Sequence, residues 1–230
     1  MKKITFFLVF FLICLFLVIP PLIPADTTEN SLNFSISWLK IALFVLAVMI
    51  FWYFEFSGRK YTVNKISILF ASGKVFLYFG MLIAVNVIIS SVTYMLTKDI
   101  SFKIDFNASP SGLIHAFINF FISAFYEEAL YRLYLPCCVN ELFINIFCKE
   151  NKNNSETQLY RKKIIQIFVE IICILIFAFS HINSGYNAVI NALISGTILR
   201  IAVLKNKTIL IGCISHFLYN SFIFLAAILL

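Results

Sequence analysis

The sequence predicts an all-α fold: a polytopic transmembrane helical bundle of about seven to eight membrane helices. Three observations predict it. Hydrophobic residues make up 61% of the 230-residue chain and charged residues only 13%, against roughly half and a quarter in a soluble domain. The apolar residues fall in runs of about 20, the length an α-helix needs to cross the hydrocarbon core. Polar and charged residues collect in the short stretches between those runs. A soluble globule of 26.4 kDa needs more polar surface than this to cover its core.

The first run is Ile4 to Ile23, after Lys2 and Lys3. Pro20, Pro21 and Pro24 crowd its end, and the position three before Ala25 is Ile23 rather than a small residue. It therefore reads as a retained anchor and not a cleaved signal peptide. Further spans are expected over Ile36–Phe56, Val75–Leu96 and Leu113–Leu135, the last ended by Pro136. Val139 to Cys148 is apolar but too short to cross and reads as an interfacial or re-entrant helix. Three more spans follow: Ile164–Ile182, Tyr186–Leu204 and Ile209–Leu230. The organisation is one membrane domain, with N-terminal helices over residues 1–112 and a membrane core over 113–230.

The net charge is +7. Nucleic acid is the first partner such a balance suggests, but the basic residues sit in short loops and read instead as membrane topology. With the N-terminus inside, the inner loops hold Lys2, Lys3, Arg59, Lys60, Lys65, Lys74, Lys149, Lys152, Arg161, Lys162, Lys163, Lys205 and Lys207, 13 of the 18 Lys and Arg residues. The outer loops hold 2, Lys98 and Lys103. The expected location is the cell membrane, multi-pass, with a cytoplasmic N-terminus. Richness in Lys, Asn, Ile and Phe points to an AT-rich, bacterial genome. The six cysteines include no CxxC pair and read as small buried hydrophobes.

Charges inside the apolar runs carry the chemistry. Each ionised side chain at the bilayer centre costs about 2.5–3.5 kcal/mol on insertion scales. Glu127, Glu128 and Arg132 lie within six residues of one span, about 8–10 kcal/mol if unpaired. Glu128 and Arg132 are four apart and can pair on one face, a structural role. Glu127 has no Lys or Arg three or four residues away and is left to face something else. Two later spans carry pairs at the same spacing of four: Phe177 with the polar His181, and His216 with Asn220. A carboxylate base, two imidazoles and an amide donor form a set able to do acid–base chemistry. His115, the third histidine, is given no role.

Depth supports convergence. At 1.5 Å per residue, Glu127 is about 13 Å above Pro136 and His216 about 13 Å above Lys207. His181 is about 27 Å above Lys163, but about 16 Å above Glu170 if the helix is wet up to that residue. All three then meet in the inner half of the membrane.

The run Glu127-Glu128-Ala129-Leu130-Tyr131-Arg132 resembles the EExxxR motif of the CPBP, or Abi, family of intramembrane proteases, which includes the type II CAAX prenyl endopeptidases. Phe177-Ala178-Phe179-Ser180-His181 matches its FxxxH motif and His216-Phe217-Leu218-Tyr219-Asn220 its HxxxN motif, in the same order. The resemblance spans about Leu113 to Leu230. It implies that Glu127 activates water with help from His181, that His216 and Asn220 stabilise the oxyanion, and that Glu128 and Arg132 hold the site's shape. It leaves metal open. Glu127, His181 and His216 could ligate zinc, but there is no HExxH pair, and the eukaryotic CAAX enzymes look metal-independent; no cofactor is the preferred reading. The expected partners are the lipid bilayer and a membrane-associated peptide or protein substrate. Two other classes stay open: a transporter with a Glu/His relay, supported by Asn187, Asn191 and Ser195 on one face, and a non-catalytic peptide-binding or bacteriocin-immunity protein.

Overall fold

The computed structural model describes residues 3–23, 37–56, 68–98, 110–148 and 155–229. The loops that hold Lys2, Arg59, Lys60, Lys65, Lys103, Lys149 and Lys152 lie outside these residues, as does Pro24. Regular structure among the described residues is entirely helical. The helices are α1 (Lys3–Ile13), α2 (Trp38–Phe51), α3 (Ile68–Thr97), α4 (Pro110–Glu127), α5 (Leu135–Phe147), α6 (Ser155–Phe179), α7 (Tyr186–Asn206) and α8 (Leu210–Leu229).

Five segments are long and apolar enough to cross a membrane: Trp38–Glu55, Ala71–Thr97, Ser111–Phe147, Tyr186–Asn206 and Leu210–Leu229. Two of the seven expected spans fall short. The first is a shorter apolar helix, Leu8–Leu22, which tightens into a 3₁₀ turn at Pro20–Leu22 because proline cannot continue the α pattern. The other is α6, whose sequence carries Arg161, Lys162, Lys163 and Glu170. Trp38, Met95, Leu96 and Phe16 are among the large apolar side chains on the outside. A bundle in lipid turns such residues outward and satisfies its backbone within each helix.

The expected stop at Pro136 does not occur. Ser111–Phe147 runs as one helical stretch of 37 residues, so Val139–Cys148 is not a separate short helix. Between α4 and α5 the chain widens into a π-helical turn at Glu128–Tyr134, and the Leu135 N–H reaches back to the Leu130 carbonyl. Pro136 follows in the first turn of α5. There its missing N–H leaves a carbonyl of the preceding turn to find its donor elsewhere. Widened turns of this kind are rare and concentrate at functional sites.

Two apolar clusters hold the bundle. In one, Leu130, Leu133 and Leu135 pack with Ala47, Ile50, Val169, Cys173 and Val203. In the other, Val75, Tyr78 and Leu82 of α3 pack with Leu199, Ala202 and Ile211. Polar groups tie the helices further. Tyr219 accepts from Asn86 of α3 at 3.0 Å and from Asn191 of α7 at 2.8 Å. The Ser215 hydroxyl donates to the Val75 carbonyl at 3.1 Å.

The start of α8 is fixed from outside. Glu55, buried at the end of α2's extension, accepts from the Ile209 N–H at 2.8 Å and from the Thr208 hydroxyl at 3.2 Å. A carboxylate there satisfies amides that have no partner within the helix and meets the positive end of its dipole. Glu55→Ala removes that cap, and its loss is expected to lower stability by about 1–2 kcal/mol. Thermal unfolding of the purified protein in detergent checks this; an unchanged midpoint would show that Glu55 does not hold α8.

Candidate active site

The site is built where the widened turn meets α8. Glu128 is completely buried and His216 is 7% exposed. The His216 Nδ1 lies 3.2 Å from Glu128 Oε1, and its Nε2 lies 3.9 Å from Glu127 Oε2. A carboxylate only accepts, so this geometry places a proton on Nδ1 and aims Nε2 at Glu127. Arg132 Nε is 3.6 Å from Glu128 Oε2, which confirms the expected pair. That separation is an ion pair without a hydrogen bond. The α8 backbone comes close because residue 212 is glycine. A Cβ there would stand 3.1 Å from Glu128 Oε2.

Arg132 is held by a ring as well as by a charge. Its guanidinium carbon sits 3.6 Å from the centre of the Phe177 ring, a cation–π contact that gains strength when water is excluded. Gly196 leaves room for the stack, since a Cβ there would be 2.8 Å from Phe177 Cδ1 and 3.4 Å from Arg132 Nη2. The first residue of the FxxxH motif is thus a platform for the last residue of EExxxR.

His181 also meets that ring, edge to face, 4.8 Å from Phe177 centroid to centroid. Its Nδ1 is 3.0 Å from the Phe177 carbonyl. The carbonyl accepts, so Nδ1 carries the proton and Nε2 is left as the acceptor. α6 ends at Phe179, two residues before His181, and Gly185, at φ 93°, takes the positive angle that lets α7 begin at the next residue, Tyr186. Asn220 is half-buried on α8, one turn beyond His216. The imidazole brought beside Glu127 is therefore His216, and His181 is joined to the cluster through Phe177.

Among the described residues, no three His, Cys, Asp or Glu side chains are grouped to hold a metal ion. All six cysteines are free thiols.

Glu170 was expected to mark the wet end of its helix. It pairs instead with Arg200 of α7, whose Nε and Nη2 each donate to one carboxylate oxygen. Arg200 Nη1 also donates to the Arg132 carbonyl at 2.5 Å. Two intramembrane charges of opposite sign, 30 residues apart, were the only signal in the sequence for this pair. Asn191 and Ser195, the polar face that favoured a transporter, bond to Tyr219 and to each other.

An apolar helical bundle with a buried carboxylate–imidazole–guanidinium cluster defines an integral membrane protein with a polar site in its interior. Residues 109–222 match the family model described as type II CAAX prenyl endopeptidase Rce1-like. Over that stretch, which includes all three motifs, the chain belongs to the Rce1-like CAAX protease family. No curated protein and no solved structure gives a match.

The buried pair sets a test. Arg132→Ala leaves Glu128 an uncompensated buried charge and is expected to cost about 3–5 kcal/mol. Glu127→Gln keeps shape and removes no ion partner of Arg132, so it is expected to cost much less. Expression level and detergent thermal stability compare the two; equal stability would show that the Glu128–Arg132 pair does not hold the structure.

Proposed function

We propose that the protein is an intramembrane endopeptidase that hydrolyses a peptide bond of a membrane-associated peptide or protein with a glutamate-activated water. The observation that carries the reading is His216 lying between Glu127 and Glu128, with Nδ1 engaged by one carboxylate and Nε2 turned to the other. Glu127 Oε2 is buried without a hydrogen-bond partner. A buried orphan acceptor beside an imidazole nitrogen suits a reactive water, which needs an acceptor for its proton.

In this mechanism Glu127 takes the proton from water as the oxygen attacks the carbonyl carbon. His181 assists through the nitrogen that Phe177 leaves unprotonated. The tetrahedral oxygen receives hydrogen bonds from Asn220 and from His216 when its Nε2 carries a proton. Glu128 keeps the His216 ring in place, much as a buried carboxylate orients the imidazole of a hydrolase triad. Collapse of the intermediate breaks the C–N bond, and the proton held by Glu127 passes to the leaving amine. Each role follows from the matching motif position and from the side-chain chemistry. In this reading the residues bind, orient and move protons without a metal.

Two measurements test this. Wild-type protein in liposomes is expected to cleave members of a library of lipid-anchored and transmembrane peptides, with products read by mass spectrometry. Glu127→Gln is expected to lower the rate by at least about 100-fold, the scale of a lost general base. A wild-type protein that cleaves none of them, or a variant that cleaves at the wild-type rate, sinks the assignment. Activity is also expected to persist in protein stripped by chelator and shown by elemental analysis to be metal-free. One zinc per chain, with activity lost on stripping and regained on adding zinc, would reverse the metal-free mechanism.

A further inference from the structure

We propose that Arg200, held by Glu170, is a positioning residue for the site: it supplies the hydrogen bond that Pro136 withholds from the Arg132 carbonyl. That carbonyl lies in the last part of the widened turn, and where the four-residue spacing of α5 resumes it would accept from the N–H of residue 136. That residue is Pro136, which has none. The helix continues past it to Phe147 all the same. Arg200 Nη1, from α7, stands 2.5 Å from the carbonyl oxygen.

Arginine suits this place for a geometric reason. Its planar fork has two usable edges. One edge, Nε and Nη2, binds both oxygens of Glu170 on α6. The remaining end, Nη1, is then fixed in direction and reaches the carbonyl. Lysine, with a single ammonium, cannot hold both partners in one orientation. Arg200 is 5% exposed, so water does not replace a lost bond easily.

The consequence lies at the site. The Arg132 carbonyl belongs to the widened turn Glu128–Tyr134, which follows directly on Glu127. Releasing the carbonyl frees that turn to shift. Glu127, Glu128 and the Arg132 side chain then lose their aim toward His216. Glu170, Arg200 and Pro136 stand outside the three motifs, yet they set the backbone of the first one.

The activity readout rests on the proteolytic reading, so a second readout is independent of it. The test is a double-mutant cycle of Arg200→Met and Pro136→Ala, because alanine restores an N–H at position 136. With a peptide that the wild-type protein cleaves, R200M is expected to lower kcat about 100-fold while KM changes by less than about threefold, the pattern of a misplaced catalytic group. Relative to P136A alone, R200M is expected to cost about tenfold less, since the carbonyl now has a backbone donor. The thermal midpoint in detergent is expected to show the same coupling, with a smaller drop for R200M in the P136A background. Where R200M does not fold, the exchanged pair Glu170→Arg with Arg200→Glu replaces it. That pair keeps both charges but faces the carbonyl with an acceptor, and it is expected to remain at least about 100-fold impaired. Full activity of R200M, of the exchanged pair, or additive effects of R200M and P136A on both kcat and midpoint would overturn the proposal. Loss of the proteolytic reading alone would leave the midpoint coupling intact.

Discussion

A fully buried carboxylate governs this bundle. Removing an ion from water costs several kcal/mol even after relaxation, and only well-placed partners repay it. Glu128 has no exposed surface, so its neighbours must supply what water would. Arg132 brings the opposite charge from the same turn, and His216 brings a hydrogen bond from α8. Neither partner could approach without the small residues around them. Gly212 lets α8 close on the carboxylate, and Gly196 lets the Phe177 ring slide under the guanidinium. The three motifs are therefore one object. Each contributes a part whose placement depends on the other two.

Planarity matters as much as charge here. Arg132 Nη1 and Nη2 are buried without hydrogen-bond partners, and the guanidinium lies over the Phe177 ring instead. Stacking leaves the cation weakly solvated but not isolated, because the ring's negative face is turned to it. A lysine would keep the charge and lose the stack. The same ring also contacts His181, so one phenylalanine near the end of α6 touches two polar groups.

Much of this could be read in the sequence, for reasons that are local. Spans are legible because each is a run of apolar residues, and the pairing of Glu128 with Arg132 is legible because four residues bring side chains to one face. The π turn was not legible. It depends on a single N–H choosing the carbonyl five residues back, which composition does not record. The same turn explains why proline failed to end the helix. Glu127 and His216 do meet, but the depth that put them at one level was counted from a stop at Pro136 that the helix does not make, and depth could not tell which histidine would be the neighbour. The Glu170–Arg200 pair was missed because each charge was weighed against its own helix. Wetting explained one, and nothing explained the other, until the two were seen to face each other across α6 and α7.

The ties between α3 and α8 differ in kind. One is between two side chains, Asn86 and Tyr219; the other reaches from Ser215 to the Val75 carbonyl, an atom that every residue possesses. Much of the remaining contact is apolar packing by Val75, Tyr78 and Leu82. An ancestral α3 could thus drift through many aliphatic and aromatic replacements and still seat the helix that bears His216, so long as position 86 kept an amide. Descendants of such a lineage would look unrelated over their first hundred residues while sharing one catalytic half.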